Sequence, residues 1–588
     1  MANLSRKRFL TELHGLLGSL SREELEKRLL SWARELRPEE RPVFLDRFRK
    51  RERRGTARSP KALRGEIESF VERMHSYAYA DGWGWDEEIR DERVWGDESW
   101  AVEIDGFLEG ARQLYEAGDY SAARDVYEAA LKAYDEGLEE GLLAGADPDD
   151  LVDADLNEEC ARYLRCVYLT TDPPYRPDAV VGAWHEPFVR PGAENLRAII
   201  EVDEAELPDW EEFGKGWLEY LETMGQSPPV TDWVREGVRL FRGTKGLEEL
   251  ARSRGANSPV YFIEWVDALR AEERVVEAVD AAVLALDTVP DGLAIRAKLA
   301  ERLVACAGAV GREDAVDRGL REALWAGPDL PRLLAFLEGG AAFADRRERL
   351  AQAADRFREL DRPARPGPGE CDPGKRRGSV PPRLWPCVHL LAGEFERLAR
   401  IAEEAEPLGW SYGDDPAPVA VPFLLYACRG RARTRLPAHL KEEWDNAIRS
   451  VDAHWFGAWD GPLDDLFENA EEGEAEPRGE VSERFTPLAH EAIAAARATD
   501  ADLLRWLGKA EKAALRRVDA IVSNKKRGSY DKAARLLTAV AEVHWTWGDA
   551  DAGLGLLNRY WNKYSRFSAF RRELREVVKG SPLKPVWA

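Results

Sequence analysis

The sequence lacks the short motifs that mark the common enzyme classes. It contains no GxxxxGK[ST] loop for phosphates, no GxGxxG turn for a dinucleotide and no GxSxG elbow for a catalytic serine. Neither His185-Glu186 nor His490-Glu491 continues into the HExxH pattern of a zinc hydrolase. We therefore expect no enzymatic activity, no catalytic residue and no cofactor, although a Cys-His dyad that forms only in the fold would leave no sequence pattern.

Cysteine is scarce, and its distribution argues against a structural metal site. The six cysteines are scattered, and no pair has the short spacing that zinc sites use. They are Cys160, Cys166, Cys306, Cys371, Cys387 and Cys428. This usage is typical of reduced thiols, so we expect a cytoplasmic protein.

Long hydrophobic runs are also missing. No window approaches the ~20 apolar residues of a membrane-spanning helix. Residues 1–30 begin with positive charge but read as an amphipathic helix, without the apolar core and cleavage site of a secretory signal. We expect no membrane association.

Basic charge is in deficit, since 85 lysines and arginines face 109 acidic residues and leave a net charge of -24. That charge disfavours nucleic acid and anionic membranes over most of the surface. Hydrophobic residues make up 44% of the 588 positions, which is enough to build several domains or one elongated array. Arginine outnumbers lysine, a usage typical of a GC-rich bacterial genome.

One segment has the spacing of a tetratricopeptide unit, a helix-turn-helix repeat. Its matching positions are Phe107, Ala111, Leu114, Gly118, Asp119, Tyr120, Ala123, Tyr127 and Ala130. Such a unit cannot bury its apolar face alone, and stacked units form surfaces that bind other proteins. Tyr120 and Tyr127 are therefore expected to pack the scaffold rather than to do chemistry.

Weaker matches follow along the chain. They lie at 262–290, around Gly311 to Ala323, around Gly393 to Ala405, and at 530–560. Strands have little support: Ala179 to Val181 and Val419 to Leu425 are short apolar runs, and a buried helix explains the second equally well. The predicted fold class is all-α, with tetratricopeptide-like helical repeats forming an α-solenoid or superhelix connected by flexible linkers.

Two breaks in composition divide the chain. Residues 361–386 are rich in proline and glycine, and residues 467–485 are acidic with few apolar side chains, so both are expected to be irregular linkers that a protease would cut first. The predicted segments are a helical segment 1–70, a Trp- and acid-rich segment 71–104, a repeat array 105–360, a middle helical segment 387–466 and a C-terminal repeat module 486–588.

Tryptophans flanked by acids are the candidate partner-binding residues. Trp83, Trp85, Trp95 and Trp100 lie within 81–100, and Trp410 and Tyr412 lie in the polar turn GWSYGDDP. The alternative is that these indoles lock loops against neighbouring helices.

The candidate anion-binding residues lie in the basic stretch from Arg47 to Arg64. They are Arg49, Lys50, Arg51, Arg53 and Arg54. A solvated helix face and loop is the alternative interpretation, because no interleaved aromatics accompany these charges.

One spacing resembles a calcium loop. Asp147, Asp149, Asp153, Asp155 and Glu158 fall on ligand positions, but Val152 occupies the position that requires glycine for the sharp turn. Carboxylates that cap the following helix are the better interpretation, and we expect no metal.

Two segments resemble bacterial SWIM zinc-finger-associated proteins. They are GSYDKAARLLTAVAEVHWTWGDADAGLGLLNRYWNKYSRFSAFRRELREV, from Gly528 to Val577, and GEFERLARIAEEAEPLGWSYGDDPAPVAVPFLLYA, from Gly393 to Ala427; LTELHGLLGSLSREELEKRLLSWA at 10–33 is similar too. The resemblance implies tetratricopeptide-like helical arrays. The family's zinc finger needs a CxC pair followed by a CxH pair, and no CxC pair exists here, so its metal-binding and DNA-binding roles do not carry over.

The leading functional interpretation is a non-enzymatic helical-repeat adaptor that binds another protein or a peptide, within a bacterial regulatory or defence complex such as antiviral defence. A second is a regulated effector or protease substrate cut in an exposed linker. A third is a nucleic-acid-associated protein that uses local basic patches, either the stretch above or Arg516, Arg517, Lys525, Lys526 and Arg527. The sequence does not distinguish the partner.

Overall fold

The computed structural model divides the chain into two compact units, Met1–Gly237 and Val238–Ala588. The structure describes residues 58–79, 84–86, 91–93, 97–145, 148–225, 227–340, 342–361, 380–411, 415–430, 436–452 and 480–588, together with Lys27. Each unit is described separately below. The boundary between them falls inside the predicted array 105–360.

The first unit consists of helices that pack against their neighbours in the chain. The helices are α1 (Pro60–His75), α2 (Ser99–Glu116), α3 (Tyr120–Glu139), α4 (Leu156–Thr170), α5 (Arg176–Trp184), α6 (Leu196–Glu201) and α7 (Trp210–Thr223). One two-stranded antiparallel sheet pairs β1 (Gly84–Asp86) with β2 (Asp91–Arg93) in the register Gly84↔Arg93, Trp85↔Glu92 and Asp86↔Asp91. Helix α8 (Pro228–Arg254) includes the boundary between the units and has a non-helical residue at Gly243.

The second unit continues with helices alone among its described residues. They are α9 (Val260–Ala271), α10 (Val275–Thr288), α11 (Ile295–Ala309), α12 (Glu313–Ala326), α13 (Leu330–Glu338), α14 (Phe343–Leu360), α15 (Leu384–Leu391), α16 (Phe395–Glu404), α17 (Ala417–Ala427), α18 (Ala438–Asp452), α19 (Glu480–Ala495), α20 (Asp500–Ser523), α21 (Tyr530–Thr546), α22 (Ala550–Lys563) and α23 (Ser568–Val578). Successive helices such as α11 and α12, or α21 and α22, pack against each other.

Among the described residues, five helix pairs are joined by the same three-residue turn. A residue with positive φ follows the first helix, its N–H donates to the carbonyl three residues earlier, and the next N–H donates to the carbonyl five residues earlier. The positive-φ residues are Gly118, Glu273, Gly311, Gly393 and Gly548. This is the left-handed cap in which glycine is favoured because a Cβ is strained there. One such turn lies in each of the five predicted repeat units.

The repeat at α2 and α3 shows how the sequence produces this turn. Asp119 follows the glycine, and its carboxylate accepts a hydrogen bond from the Ala122 N–H at 3.2 Å, which caps α3. Ala111, Ala123 and Ala130 are fully buried. Small side chains at these positions let the helix backbones approach closely. Together with the successive packed helices and the repeated turn, this packing confirms the predicted fold class of all-α helical repeats.

Several sequence predictions need correction or refinement. Ala179 to Val181 and Val419 to Leu425 lie in α5 and α17 and form no strand. Every residue of α17 except Pro418 is buried, so its apolar run has no polar face from which a helical period can be read. The acidic linker predicted to reach residue 485 is shorter, because α19 begins at Glu480 and Phe485 is fully buried. The proline-rich linker likewise ends before 386, at the start of α15.

Candidate peptide-binding groove

A groove lies between α1 and α2 in the first unit. Its volume is about 490 Å³, within the range of ordinary ligand pockets. The lining residues are Arg58, two residues before α1; Ala62, Gly65, Glu66, Ser69 and Arg73 from α1; and Val102, Glu103, Gly106 and Phe107 from α2. Both helices therefore present small side chains to the groove.

The sequence of α1 fixes which of its faces remains open. Ser59 accepts a hydrogen bond from the Ala62 N–H at 3.2 Å and caps the helix, with Pro60 in its first turn. The buried face follows a helical spacing through Leu63, Ile67, Phe70 and Met74. The groove residues of α1 are on the exposed side.

Glycines in α2 and α3 allow α1 to pack closely against both helices. A Cβ at Gly110 would lie 2.7 Å from a methyl carbon of Leu63, and a Cβ at Gly137 would lie 2.6 Å from the sulfur of Met74. Any larger residue would push α1 outward. Because α1 is held at Leu63 and Met74, its groove face has a defined position relative to α2.

Ion pairs hold the side walls. Arg58 pairs with Glu66 at 2.8 Å along α1, and Arg73 pairs with Glu103 of α2. The Tyr79 hydroxyl donates to the same Glu103 carboxylate at 2.6 Å. Burial, and then the bond to Glu103, raise the pKa of Tyr79 to about 12, so the phenol stays protonated and keeps this bond.

The mouth of the groove exposes apolar surface that no described residue covers. The Val102 side chain is 74% exposed, which is high for a valine on a helix packed against a core. Phe107, by contrast, is 3% exposed and forms part of the base. A Cβ at Gly65 would meet nothing within 4 Å, so the groove is open above that residue.

Two of the candidate partner-binding tryptophans lie in the protein's own core. Trp100 is fully buried, stacks at a tilt on Tyr134 with 5.9 Å between ring centroids, and donates to the Ala144 carbonyl at 2.9 Å. Trp410 is 7% exposed and donates to the Glu406 carbonyl at 2.8 Å. Their indoles lock local structure, so neither residue presents the exposed contact surface that the sequence suggested.

Most of the remaining predicted site residues lie outside the residues that the structure describes. Trp83, Trp95 and Tyr412 lie outside the described residues, as do Arg49, Lys50, Arg51, Arg53 and Arg54 of the anion-binding prediction. The backbone of Trp85 belongs to β1. At the described end of that basic stretch, Arg64 pairs with Asp125 at 3.7 Å. These assignments stay predictions.

Two basic residues of the nucleic-acid interpretation have structural partners. The Arg516 side chain donates to the Glu403 carbonyl at 2.8 Å, beside the last turn of α16. The Arg517 guanidinium lies over the Trp410 ring, 4.3 Å from its centroid. Burial lowers the pKa of Arg517 to about 10. Neither side chain is a free surface charge for phosphates.

Within the calcium-like spacing Asp155 caps the following helix, as the sequence indicated. Asp155 accepts hydrogen bonds from the backbone N–H groups of Asn157 and Glu158, at 3.0 and 3.2 Å. Asp149 accepts from Tyr134 and Arg190 at 2.6 and 2.7 Å. Asp147 lies outside the described residues. Within the described ranges no group of three acidic, histidine or cysteine side chains is placed to hold a metal ion.

Sequence reasoning missed the groove itself. Its charged residues are of both signs and spread along the sequence, so they form no motif. The available signal was the isolated glycines in helical segments, Gly65, Gly106 and Gly110, which often mark a close approach. Which of them would face a neighbour and which would stay open depends on how α1 packs, and the local sequence does not encode that packing.

Comparisons with known proteins add little to this description. No protein-family model matches the chain, and no curated protein matches it. Among solved structures it is similar to a protein described as "Circular tandem repeat protein with novel repeat topology and enhanced subunit contact surfaces", at 13% identity over 89% of this chain and 97% of that one, with a TM-score of 0.15. A TM-score this low carries no conclusion about fold or function. Among the described residues, no helix is long and apolar enough to cross a bilayer.

Proposed function

We propose that this protein is a helical-repeat scaffold, without catalytic activity of its own, that binds a peptide segment of another protein in the groove between α1 and α2. The observation that carries the proposal is an open groove of about 490 Å³ in which small residues of both helices lie between two arginine–glutamate pairs. Small side chains let a ligand backbone come close, and the exposed Val102 offers it an apolar contact.

The charges of the groove favour a peptide over a small charged metabolite. Arg58 and Arg73 are each paired with a glutamate in the groove wall. The wall is therefore electrically balanced, and a ligand would gain its affinity from apolar contact and backbone hydrogen bonds rather than from a strong charge. A short helical or extended segment with one apolar side chain over Val102 fits this surface.

The cysteines support a role in binding rather than in thiol chemistry. Cys160, Cys166 and Cys428 are fully buried, and burial raises the pKa of the Cys160 thiol to about 11 and of the other two to about 12. A catalytic cysteine needs a lowered pKa and access to substrate. Free cysteines also fit a reducing compartment, so we place the scaffold in the cytoplasm. The SWIM-associated resemblance supports a bacterial regulatory or defence setting.

The test uses affinity capture from the source organism with groove-filled and control proteins. Gly65→Leu puts a branched side chain into the groove, and Gly65→Ala adds only a methyl group. Both replace a helical glycine, so both should raise stability by about 1 kcal/mol. Gly182→Leu makes the same change at an exposed helical glycine of α5 with nothing within 4 Å.

The expected result is a stoichiometric partner captured by the wild type, Gly65→Ala and Gly182→Leu but lost from Gly65→Leu. Val102→Glu should weaken capture as well, because the exposed apolar contact is replaced by a charge. Equal capture by Gly65→Leu and Gly182→Leu would overturn the assignment of the groove. The absence of any reproducible partner would count against the scaffold proposal as a whole.

A further inference from the structure

The second unit carries a cluster of basic residues at one end, in a chain that is acidic overall. Two loops form it, residues 524–529 between α20 and α21 and residues 564–567 between α22 and α23. Their sequences, NKKRGS and YSRF, contain four basic residues and no acidic one, in a chain with a net charge of -24. We define the basic end as Lys525, Lys526, Arg527 and Arg566.

Aromatic packing brings the two loops together. The Tyr564 hydroxyl, in the second loop, donates to Asp519 near the end of α20 at 2.7 Å. Tyr530, directly after the first loop, packs edge-on against Phe570 with ring centroids 5.8 Å apart. Tyr530 and Phe570 are buried. The loops therefore share one end of this helical layer and do not lie at opposite ends of it.

The four cations are available to a partner. All four residues are exposed, and none of their side chains makes a hydrogen bond or ion pair with another described residue of the chain. The nearby carboxylate of Asp519 is already occupied, because Lys563 pairs with it at 2.7 Å in addition to Tyr564. A Cβ at Gly528 would meet nothing within 4 Å, so a partner backbone can approach beside Arg527.

We propose that the basic end is a second interaction surface, separate from the groove, that binds an acidic segment of a partner protein. Arg527 and Arg566 each offer the planar fork that fits a carboxylate, and Lys525 and Lys526 add charge between them. Serines in the same loops supply neutral donors. The surface is independent of the groove, so the two assignments stand or fall separately.

A nucleic acid fits this surface less well than an acidic peptide. Single strands gain much of their affinity from bases stacking on exposed aromatic rings. At the basic end Tyr530, Tyr564 and Phe570 are buried, and the half-buried Phe567 packs edge-on against Tyr564 with ring centroids 5.4 Å apart, so no fully exposed ring offers a stacking platform. Four cations alone give weak phosphate binding at physiological salt, and the net charge of -24 opposes a long polyanion.

Fluorescence anisotropy with the full-length protein tests the proposal. The probe is a labelled peptide that alternates aspartate, glutamate and glycine, with an asparagine and glutamine version as its control. The variant Arg527→Gln plus Arg566→Gln removes one arginine from each loop. Its matched control is Arg242→Gln plus Arg400→Gln, which removes two exposed arginines elsewhere in the same unit.

The acidic peptide should bind the wild type and the control variant alike, and the amide peptide should not bind. Loss of both loop arginines should weaken binding about tenfold, since each exposed ion pair contributes up to about 1 kcal/mol. Equal binding by the loop variant and its control would overturn the proposal. So would tighter binding of an oligothymidylate of the same net charge, which would assign the basic end to phosphates.

Discussion

The guanidinium of Arg383 donates a hydrogen bond to the carbonyl oxygen of Trp410 at 2.9 Å, across 27 residues of chain. The same side chain donates to the carbonyls of Asp415 at 3.1 Å and Ser450 at 3.0 Å. Arg383 is 4% exposed. One arginine therefore joins the start of α15, both ends of the polar turn at 410–415 and the end of α18.

Replacing this arginine by lysine should destabilise the second unit. An ammonium has the charge but not the planar fork, so it cannot reach three carbonyls on three segments. At least one buried carbonyl would lose its donor, and Arg383→Lys should lower the free energy of unfolding by about 2 to 4 kcal/mol. Urea unfolding followed by tryptophan fluorescence measures this. Arg400→Lys, at an exposed position, should have no measurable effect, and an Arg383→Lys protein as stable as that control would contradict the assignment.

The repeated turn predicts opposite effects for two substitutions. Glu273 occupies the left-handed position with φ of 59°, where the other four turns have glycine. Its side chain is exposed, so Glu273→Gly removes backbone strain without losing a packed side chain and should raise stability by about 0.5 to 1 kcal/mol. Gly311→Ala introduces the same strain where a Cβ meets nothing within 4 Å, and should lower stability by about 1 kcal/mol.

Both effects should appear as shifts of the urea midpoint at constant slope. The two positions lie in the same unit, so their changes can be compared directly. A Glu273→Gly protein less stable than the wild type would mean that the glutamate makes a contribution other than its backbone conformation. A neutral Gly311→Ala would mean that the turn relaxes out of the left-handed region.

These turns show what the sequence could predict and what it could not. Gly118, Gly311, Gly393 and Gly548 were readable because the backbone conformation itself demands glycine at the position. Glu273 was not readable as a turn residue by the same rule, because a glutamate there is an exception tolerated by the surrounding helices. The helical-repeat fold was predictable because residues close together in the sequence determine these backbone conformations.

Side-chain exposure was less predictable, because it depends on residues that are distant in the sequence. Trp410 sits among glycine, serine and aspartate, a composition typical of a surface turn, yet Arg383 and Arg517 enclose it from distant segments. The groove is the reverse case, since Val102 lies in an amphipathic helix and would be expected to face a neighbour. In both cases the exposure of the side chain depends on which distant segment packs against it, and the neighbouring sequence does not specify that segment.

The pH dependence of stability should have a component from Glu443 in α18. Burial raises the pKa of this carboxyl to about 7, and Arg535 and Arg517 oppose the shift while Glu442 adds to it. The unfolded chain ionises near its ordinary value of 4.5. Below that value both states are protonated and the group costs nothing. As pH rises from about 4.5 to about 7, the unfolded chain ionises while the folded carboxyl stays protonated, so stability is lost over this range and levels off above it.

Glu443→Gln removes this titration and should stabilise the protein at alkaline pH. The gain over wild type should be small at about pH 5 and reach about 2 kcal/mol at about pH 8. Urea midpoints measured across this range give the difference directly. The exposed Glu483→Gln is the control and should shift little at either pH. A pH-independent difference between Glu443→Gln and wild type would show that the carboxyl is already ionised in the fold.

Tyr127 and the carboxylate it contacts link successive helices of the first unit. The Tyr127 hydroxyl, on α3, donates to Glu159 of α4 at 2.8 Å. Glu159 is fully buried and also pairs with Arg112 of α2 and with Arg162 at 3.0 Å. Burial, and then the charge of Glu159, raise the pKa of Tyr127, so the phenol remains a donor. The network ties three successive helices together in the repeat that the sequence marked most clearly.

Tyr127→Phe keeps the ring and removes only the donor to a buried carboxylate. A hydrogen bond to a charged group contributes about 1.5 to 3 kcal/mol, so the first unit should lose about that much stability. Tyr120→Phe is the matched control, because its ring packs on Tyr115 at 5.3 Å and its hydroxyl has no partner among the described residues. It should change stability by less than about 0.5 kcal/mol. If the two variants unfold at the same urea concentration, Glu159 is satisfied by its arginines alone, and the tyrosine in this repeat serves only to fill space.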